Sequence, residues 1–497
     1  MILAHDLGTT GNKATLVDHE GVVVGTATVA YGVDFGPGGK AEQDHEDWWA
    51  AVCAATRQLL ERTGTRPVDV EVVSFSGQMM GAVLVDADNR PVRQAIIWAD
   101  TRSGRQADRL IEAVGMERGY RITGHRINPT YSLTKVAWVR DTEPEVFART
   151  DAVLLAKDFV VARLTGVRVT DASDASSTNA YDQQAGEWSA ELLDAAGIDA
   201  RLFPPVVPST TVVGPVTAAA AAETGLAAGT PVVLGGGDGP MAALGAGIID
   251  AGSGAYAYLG SSSWVSVAAS QPLYDPQMRT MTFNHVIPGQ YVPTATMQAG
   301  GASLQWITAV LAPGEETRYE DLLRLAEAPA AEDGLFFLPH LLGERSPWWN
   351  PKARAAFVGL LMHHDRGNLT RAVLEGVAFN LYTVLRAFTE SGIEVTSVDA
   401  IGGAAHAERL LRTFADVWGV PVSSRNLVDE ATSVGAAVVG GVGVGIFADF
   451  GIARTLSQRT DRREPDPERV ARYQRAYPLF IDAYHRLEPW FDAVADA

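Results

Sequence analysis

The stretch Asp6-Leu7-Gly8-Thr9-Thr10-Gly11-Asn12-Lys13 ends an apolar run on an acid and follows it with glycines, hydroxyls and a lysine. Such a set can do one of two things. Gly and Asn supply turn conformations at little steric cost and make a plain hairpin tip. Alternatively, the backbone N–H groups, hydroxyls and lysine hold phosphate oxygens while the carboxylate holds a metal. A second acid stands in a comparable place: "PVVLGGGDG" closes an apolar strand on three glycines and Asp238, which spacing alone allows to be an Asx-type turn. A third stretch, "GAYAYLGSSSWVSVAAS", repeats the first in outline, with the small-hydroxyl turn Gly260-Ser261-Ser262-Ser263 between two apolar strands.

The elements that must position these groups follow from periodicity. "ILAHDLG", "NKATLVD" and "VVVGTATVA" read as three strands of an antiparallel meander separated by glycine turns. "AEQDHEDWWAAVCAATRQLLERTG" reads as a helix: Trp48, Val52, Ala55 and Leu59 recur at helical spacing, acids come early and Gly64 comes late. "VEVVSFSG" returns as a buried strand, so a layered α/β domain is expected rather than an all-β one. A boundary is expected between Gly245 and Gly254, giving domains 1–247 and 248–497 that begin alike. The tail after "RREPDP" reads as an amphipathic helix, packed on its own domain or on a second subunit.

Composition narrows the function. At 497 residues two domains are the natural expectation. The 40 Lys and Arg against 59 Asp and Glu leave a formal net charge of -19, which opposes a polyanionic partner and argues against nucleic-acid binding. Cys53 is the single cysteine, so an intrachain disulfide is impossible and a reducing compartment fits. The uncharged run Ala431 to Ala448 is glycine-broken and reads as helix plus turn rather than as a membrane span, and the protein is expected to be cytoplasmic. Its segment Gly443 to Ala448 fits a loose dinucleotide pattern without the flanking strand and acid, so helix packing is the reading there. His363 and His364 read as exposed turn histidines, and Trp348-Trp349 as packing against the domain.

With these elements in place, nine ordered stretches resemble the FGGY carbohydrate kinases, on the ribonuclease-H-like ATPase fold shared with actin and hexokinase. They are "DLGTTGNK", "AEQDHEDWW", "SGQMMG" with "AIIWADTR", "LLAKDFV", "GGGDG", "LGSSS", "FFLPHLLGERSPWWNP", "AAFVGLLMHHDRGNLTRAVLEGVAF" and "IGGAAHAERLLRTFADVWGVPV". Within the family the pattern is most similar to the xylulokinase branch.

The resemblance implies two α/β domains with ATP and sugar meeting in the cleft between them. It implies Asp238 as the general base for the sugar hydroxyl, and Asp6, with Asp238, as ligand of Mg²⁺. Thr9, Thr10 and Lys13 would face the phosphates from one domain, and Gly260, Ser261 and Ser262 from the other. Gly402, Gly403 and Ala404 would lie under the adenosine, Ala404 standing where the family usually has glycine. Gln78, Met79, Met80, Trp98 and Asp100 would surround the sugar, with Arg102 nearby. Xylulokinases carry Met-His where this chain has Met79-Met80, so a thioether replaces a hydrogen-bonding ring. Lys157-Asp158 would touch the sugar or cap a helix.

The implied activity is ATP-dependent phosphorylation of a small sugar or polyol. D-xylulose is the leading acceptor, with ribulose, xylitol, erythritol, glycerol or gluconate as alternatives. An actin-like or chaperone-type ATPase is the alternative of another class. A homodimer is the partner that the resemblance allows.

Overall fold

The computed structural model describes residues 1–312, 322, 324–327, 329–427 and 429–495. Its first half is built on a six-stranded sheet of Ile2–Leu7 (β1), Gly11–Val17 (β2), Val23–Ala30 (β3), Val72–Gly77 (β4), Val212–Pro215 (β5) and Pro231–Gly237 (β6), in the order β5-β6-β4-β1-β2-β3. The expected meander is β1 to β3, antiparallel throughout, and β4 and β6 join it in parallel.

The second half holds a seven-stranded sheet of Ala255–Leu259 (β7), Ser263–Val267 (β8), Met281–Asn284 (β9), Tyr291–Met297 (β10), Val398–Ile401 (β11), Val422–Arg425 (β12) and Arg459–Arg463 (β13). Its order is β9-β10-β8-β7-β11-β12-β13. An antiparallel hairpin β7-β8 with parallel β11 and β12 beyond it repeats the directions around β1-β2. The two halves therefore begin alike in architecture as well as in turn chemistry.

Helix His45–Thr63 (α1) starts at Asp44, whose side chain accepts from Glu46 N–H, and stops at left-handed Gly64. It buries Trp48, Val52, Ala55 and Leu59 against the sheet. The expected helix is shorter than its sequence stretch: Ala41 to Gln43 belong to the strand Lys40–Gln43, because Ala95–Ile96 pairs with Glu42 and Gln43. Three further helices bear on the site: Ala156–Thr165 (α2), Asp238–Gly245 (α3) and Gly301–Leu311 (α4). Arg366–Glu390 (α5) and Glu408–Trp418 (α6) cover the second sheet.

The uncharged run is helix Ala431–Gly443 (α7), which lies on the first sheet although it comes late in the chain. Val434, Val438 and Val439 share a core with Ile2, Ala4, Val72 and Val233. Gly435 and Gly245 let α7 and α3 cross closely: a Cβ on Gly245 would stand 1.7 Å from Ala431 O, and one on Gly435 2.1 Å from Met241 O. Gly443 likewise packs, against Thr210 and Val233, as the helix-packing reading expects. The terminal helix Pro467–Ala495 (α8) packs on its own half through Tyr473, Tyr477, Phe480 and Tyr484. No helix among the described residues is long and apolar enough to cross a membrane.

Candidate active site

β1 carries Asp6 beside Lys13 of β2 and Ser76 of β4. Its Oδ1 is buried with no hydrogen-bond partner among the described residues. Burial raises the pKa of Asp6, against the opposing pull of the Ser76 hydroxyl and the Lys13 ammonium. Asp238 opens α3 directly after the glycine strand, with Gly239 N–H donating to its Oδ1 at 2.7 Å. Enclosure by the protein, and then the charge of Asp6, push it up to about 7. Two mutually repelling carboxylates with an unfilled buried oxygen are a donor set suited to a hard divalent cation.

The glycines before Asp238 are dictated by their neighbours. A Cβ on Gly235, at φ +79, would lie 1.8 Å from Phe75 O; one on Gly237 would lie 2.7 Å from the Met79 side chain. Gly237 N–H donates to Ser173 Oγ at 2.9 Å, and Ser173 Oγ donates to Asp171 Oδ2 at 2.6 Å. Asp171 in turn faces Lys157 Nζ at 3.0 Å, with Asp158 at 2.5 Å and Asp174 at 2.9 Å. Lys157 is thus sealed among three carboxylates behind the glycine strand, and Asp158 caps α2 through Leu155 N–H. The carboxylates hold the Lys157 pKa well above its ordinary value despite burial. Capping, rather than sugar contact, is what the structure gives this pair.

The turn after β1 leaves Thr10 exposed, while Thr9 Oγ1 accepts from Trp98 Nε1 at 2.9 Å. Lys13 Nζ reaches across to Asp429 O at 2.7 Å, so this first turn touches the connection into α7. From the other half, the Gly260–Ser262 turn is closed by Gly260 N–H on Ser262 O. Gly301 N–H then donates to Gly260 O at 2.8 Å, seating α4 on that turn. Gly260, Ser261, Gly301, Gly403 and Ala404 line one cavity of about 1090 Å³. Gly402, at φ +86, sits against the Leu259 backbone, where a Cβ would come within 3.0 Å. Tyr258, also lining the cavity, has its hydroxyl pKa pushed up to about 12 by burial and by the charges of Asp6, Asp238 and Asp429. Tyr258 thus links this cavity electrostatically to both acids.

On the opposite flank, Met79 and Met80 pack with Tyr131, Met281 and Phe283, bordered by Trp98 and Trp349. Met80 takes a left-handed backbone, φ 64, and donates its N–H to Ser177 Oγ at 3.2 Å. Gln78 Nε2 donates to Gln43 Oε1 at 2.8 Å, leaving Gln78 Oε1 without a partner among the described residues. Asp100 is buried with both oxygens engaged, Oδ1 by Arg102 N–H and Oδ2 by Ala41 N–H and Arg102 Nε. Arg102 also pairs with Glu42. Trp348 stacks on Tyr484 with ring centroids 4.0 Å apart, as packing against the domain requires, but Trp349 leaves it for the methionine cluster. His363 and His364 both meet Asp333 Oδ2; His364 is buried, contrary to the expectation of two exposed rings, because the turn folds it inward.

Comparison with known proteins decides the family. Residues 1–245 match the N-terminal domain of the FGGY family of carbohydrate kinases, and residues 255–444 match its C-terminal domain. The chain belongs to the FGGY family. This FGGY kinase is 32% identical to a xylulose kinase of Bacillus subtilis over 97% of its own length and 96% of that protein's. A gluconokinase of the same species is 30% identical over 100% and 98% of the two chains. A ligand-bound xylulose kinase from Lactobacillus acidophilus superposes with a TM-score of 0.93, at 26% identity and covering 99% of each chain. The protein is an ATP-dependent sugar kinase with the two-domain fold of that family. Sequence reasoning missed Tyr258, which lines the large cavity, and Asp429, whose backbone carbonyl accepts from Lys13, because each meets its partners across the two halves of the chain.

Proposed function

We propose that this kinase transfers the γ-phosphate of ATP to a hydroxyl of D-xylulose, giving D-xylulose 5-phosphate, with Asp238 as general base. The observation that carries the reading is Asp238 at the start of α3, its carboxyl pushed up to about 7 by enclosure and by the charge of Asp6. A base poised near neutral pH accepts the hydroxyl proton as the sugar oxygen attacks phosphorus and ADP leaves. Thr9, Thr10 and Lys13 hold phosphate oxygens from one side and Gly260, Ser261 and Ser262 from the other. The adenosine lies along Gly402, Gly403 and Ala404 in the large cavity. Asp6 and Asp238 would hold Mg²⁺, which neutralises phosphate charge when bound. Gln78, Met79, Met80 and Trp98 shape the sugar side, where Asp100 acts through Arg102.

D-xylulose is preferred because xylulose kinases recur among the relatives. Coupled ATP turnover with D-xylulose, D-ribulose, xylitol, erythritol, glycerol and gluconate tests the reading. D-xylulose raising turnover in the wild type but not in Asp238→Asn supports it; equal turnover without any sugar refutes it.

A further inference from the structure

Two guanidinium groups border the methionine cluster, and the one carboxylate whose charge acts on either, Glu344 on Arg345, accepts from the Arg345 backbone N–H rather than from its guanidinium. Arg126 lies 5.6 Å from the centroid of Trp349, and Arg345 lies 5.8 Å from that of Trp98. Neither forms an ion pair among the described residues, and Arg345 Nε is buried without a partner. Burial lowers the pKa of both, outweighing the opposing charges of Tyr131 and Glu344 at Arg345 and of Tyr120 at Arg126. Other arginines sunk into this protein are treated differently: Arg102 holds Asp100, Arg279 holds Asp275, Arg371 holds Glu375 and Arg425 holds Asp399.

Further polar groups around the cluster stand idle. Trp349 Nε1 and Gln78 Oε1 are buried without partners among the described residues, and Trp349 itself is held at φ 53, a backbone that side chains seldom adopt. Met79 belongs to this cluster and also packs against Gly237, which precedes Asp238, so the cluster bordered by the guanidinium groups adjoins the strand that carries that acid. Met80, meanwhile, offers a sugar only a thioether.

We propose that Arg126 and Arg345 are specificity-determining donors that bind the oxygens of the acceptor at the end remote from Asp238. They supply the hydrogen bonds that Met80 cannot make. The inference rests on the kinase reading above and adds a length requirement: a five-carbon chain reaches these groups, whereas glycerol does not.

The test measures steady-state kinetics and calorimetric sugar binding for wild type, Arg126→Gln and Arg345→Gln, with Arg126→Lys as a variant that keeps the charge but loses the planar fork. The KM and dissociation constant for D-xylulose or xylitol should rise roughly tenfold to a hundredfold, the size of one lost charged hydrogen bond. Values of kcat, the KM for ATP and the weak KM for glycerol should stay within about threefold, since these need no reach to the arginines. Unchanged pentose affinity in both Gln variants overturns the assignment. So does a wild-type preference for gluconate that alone collapses in the variants, because the groups would then read a carboxylate. Binding without turnover in the wild type would defeat the kinase reading while the dissociation constants still decide this one, and absence of binding by every sugar overturns both.

Discussion

Asp238→Asn should make the protein more stable and nearly inactive. A carboxyl held at about 7 instead of its ordinary 3.8 is ionised in the folded protein at a cost that grows as pH rises from about 4 to about 7 and is constant above. Roughly three pKa units at 1.36 kcal/mol each correspond to about 4 kcal/mol at pH 8 and to about 1 to 2 kcal/mol near pH 5. The amide cannot ionise, so the variant lacks this cost at every pH. Urea unfolding midpoints without Mg²⁺, taken at pH 5 and pH 8, read the difference. The variant should gain most at pH 8, while coupled turnover falls by roughly 10² to 10⁴. A variant no more stable than the wild type at pH 8 would show that the enclosure of Asp238 and the facing Asp6 charge do not raise its pKa, and the base assignment would lose its physical ground.

The same ionisation sets the pH profile: kcat/KM for the sugar should fall about tenfold per unit below pH 7 and level off above, and a flat profile between pH 5 and 8 would contradict it. Gly235→Ala should abolish soluble expression, since its Cβ would meet Phe75 O at 1.8 Å on a left-handed backbone; solubility after lysis checks this. Lys157→Met strips the cation from three buried carboxylates and should destabilise by roughly 3–5 kcal/mol at pH 8. Protonation of Asp158 and Asp174, whose pKa values burial already raises, should shrink that loss at pH 5, as paired unfolding curves would register.

Much of this arrangement is legible in the chain because it is local. The β1-β2 hairpin follows from alternation broken by Gly8 and Gly11, and the glycines before Asp238 announce a backbone that tolerates no Cβ. Asp100 is legible as a neighbour of Trp98, but not as a carboxylate already spent on Ala41 and Arg102, which come from different segments. The strand at Ala41 to Gln43 is hidden because its partner, Ala95–Ile96, is two residues long and half a hundred positions away. Arg126 and Arg345 are not singled out by the sequence, because their ring partners, Trp349 and Trp98, come from the opposite half of the chain in each case.

The late helix α7 has a consequence for how the protein is made. Its valines complete the core against Ile2, Val72 and Val233, strands laid down at the beginning of the chain. On the ribosome the interval between Gly245 and Ala431, at about 5–20 residues per second, is roughly 10–40 s. During that interval this face of the first sheet is covered only in part, by Met241 and Leu244 of α3, and the rest of its apolar surface stays exposed until α7 is made. A gene cut at the interdomain boundary would therefore yield a first half with an unfinished core, and co-production of the second half would be needed to keep it in solution.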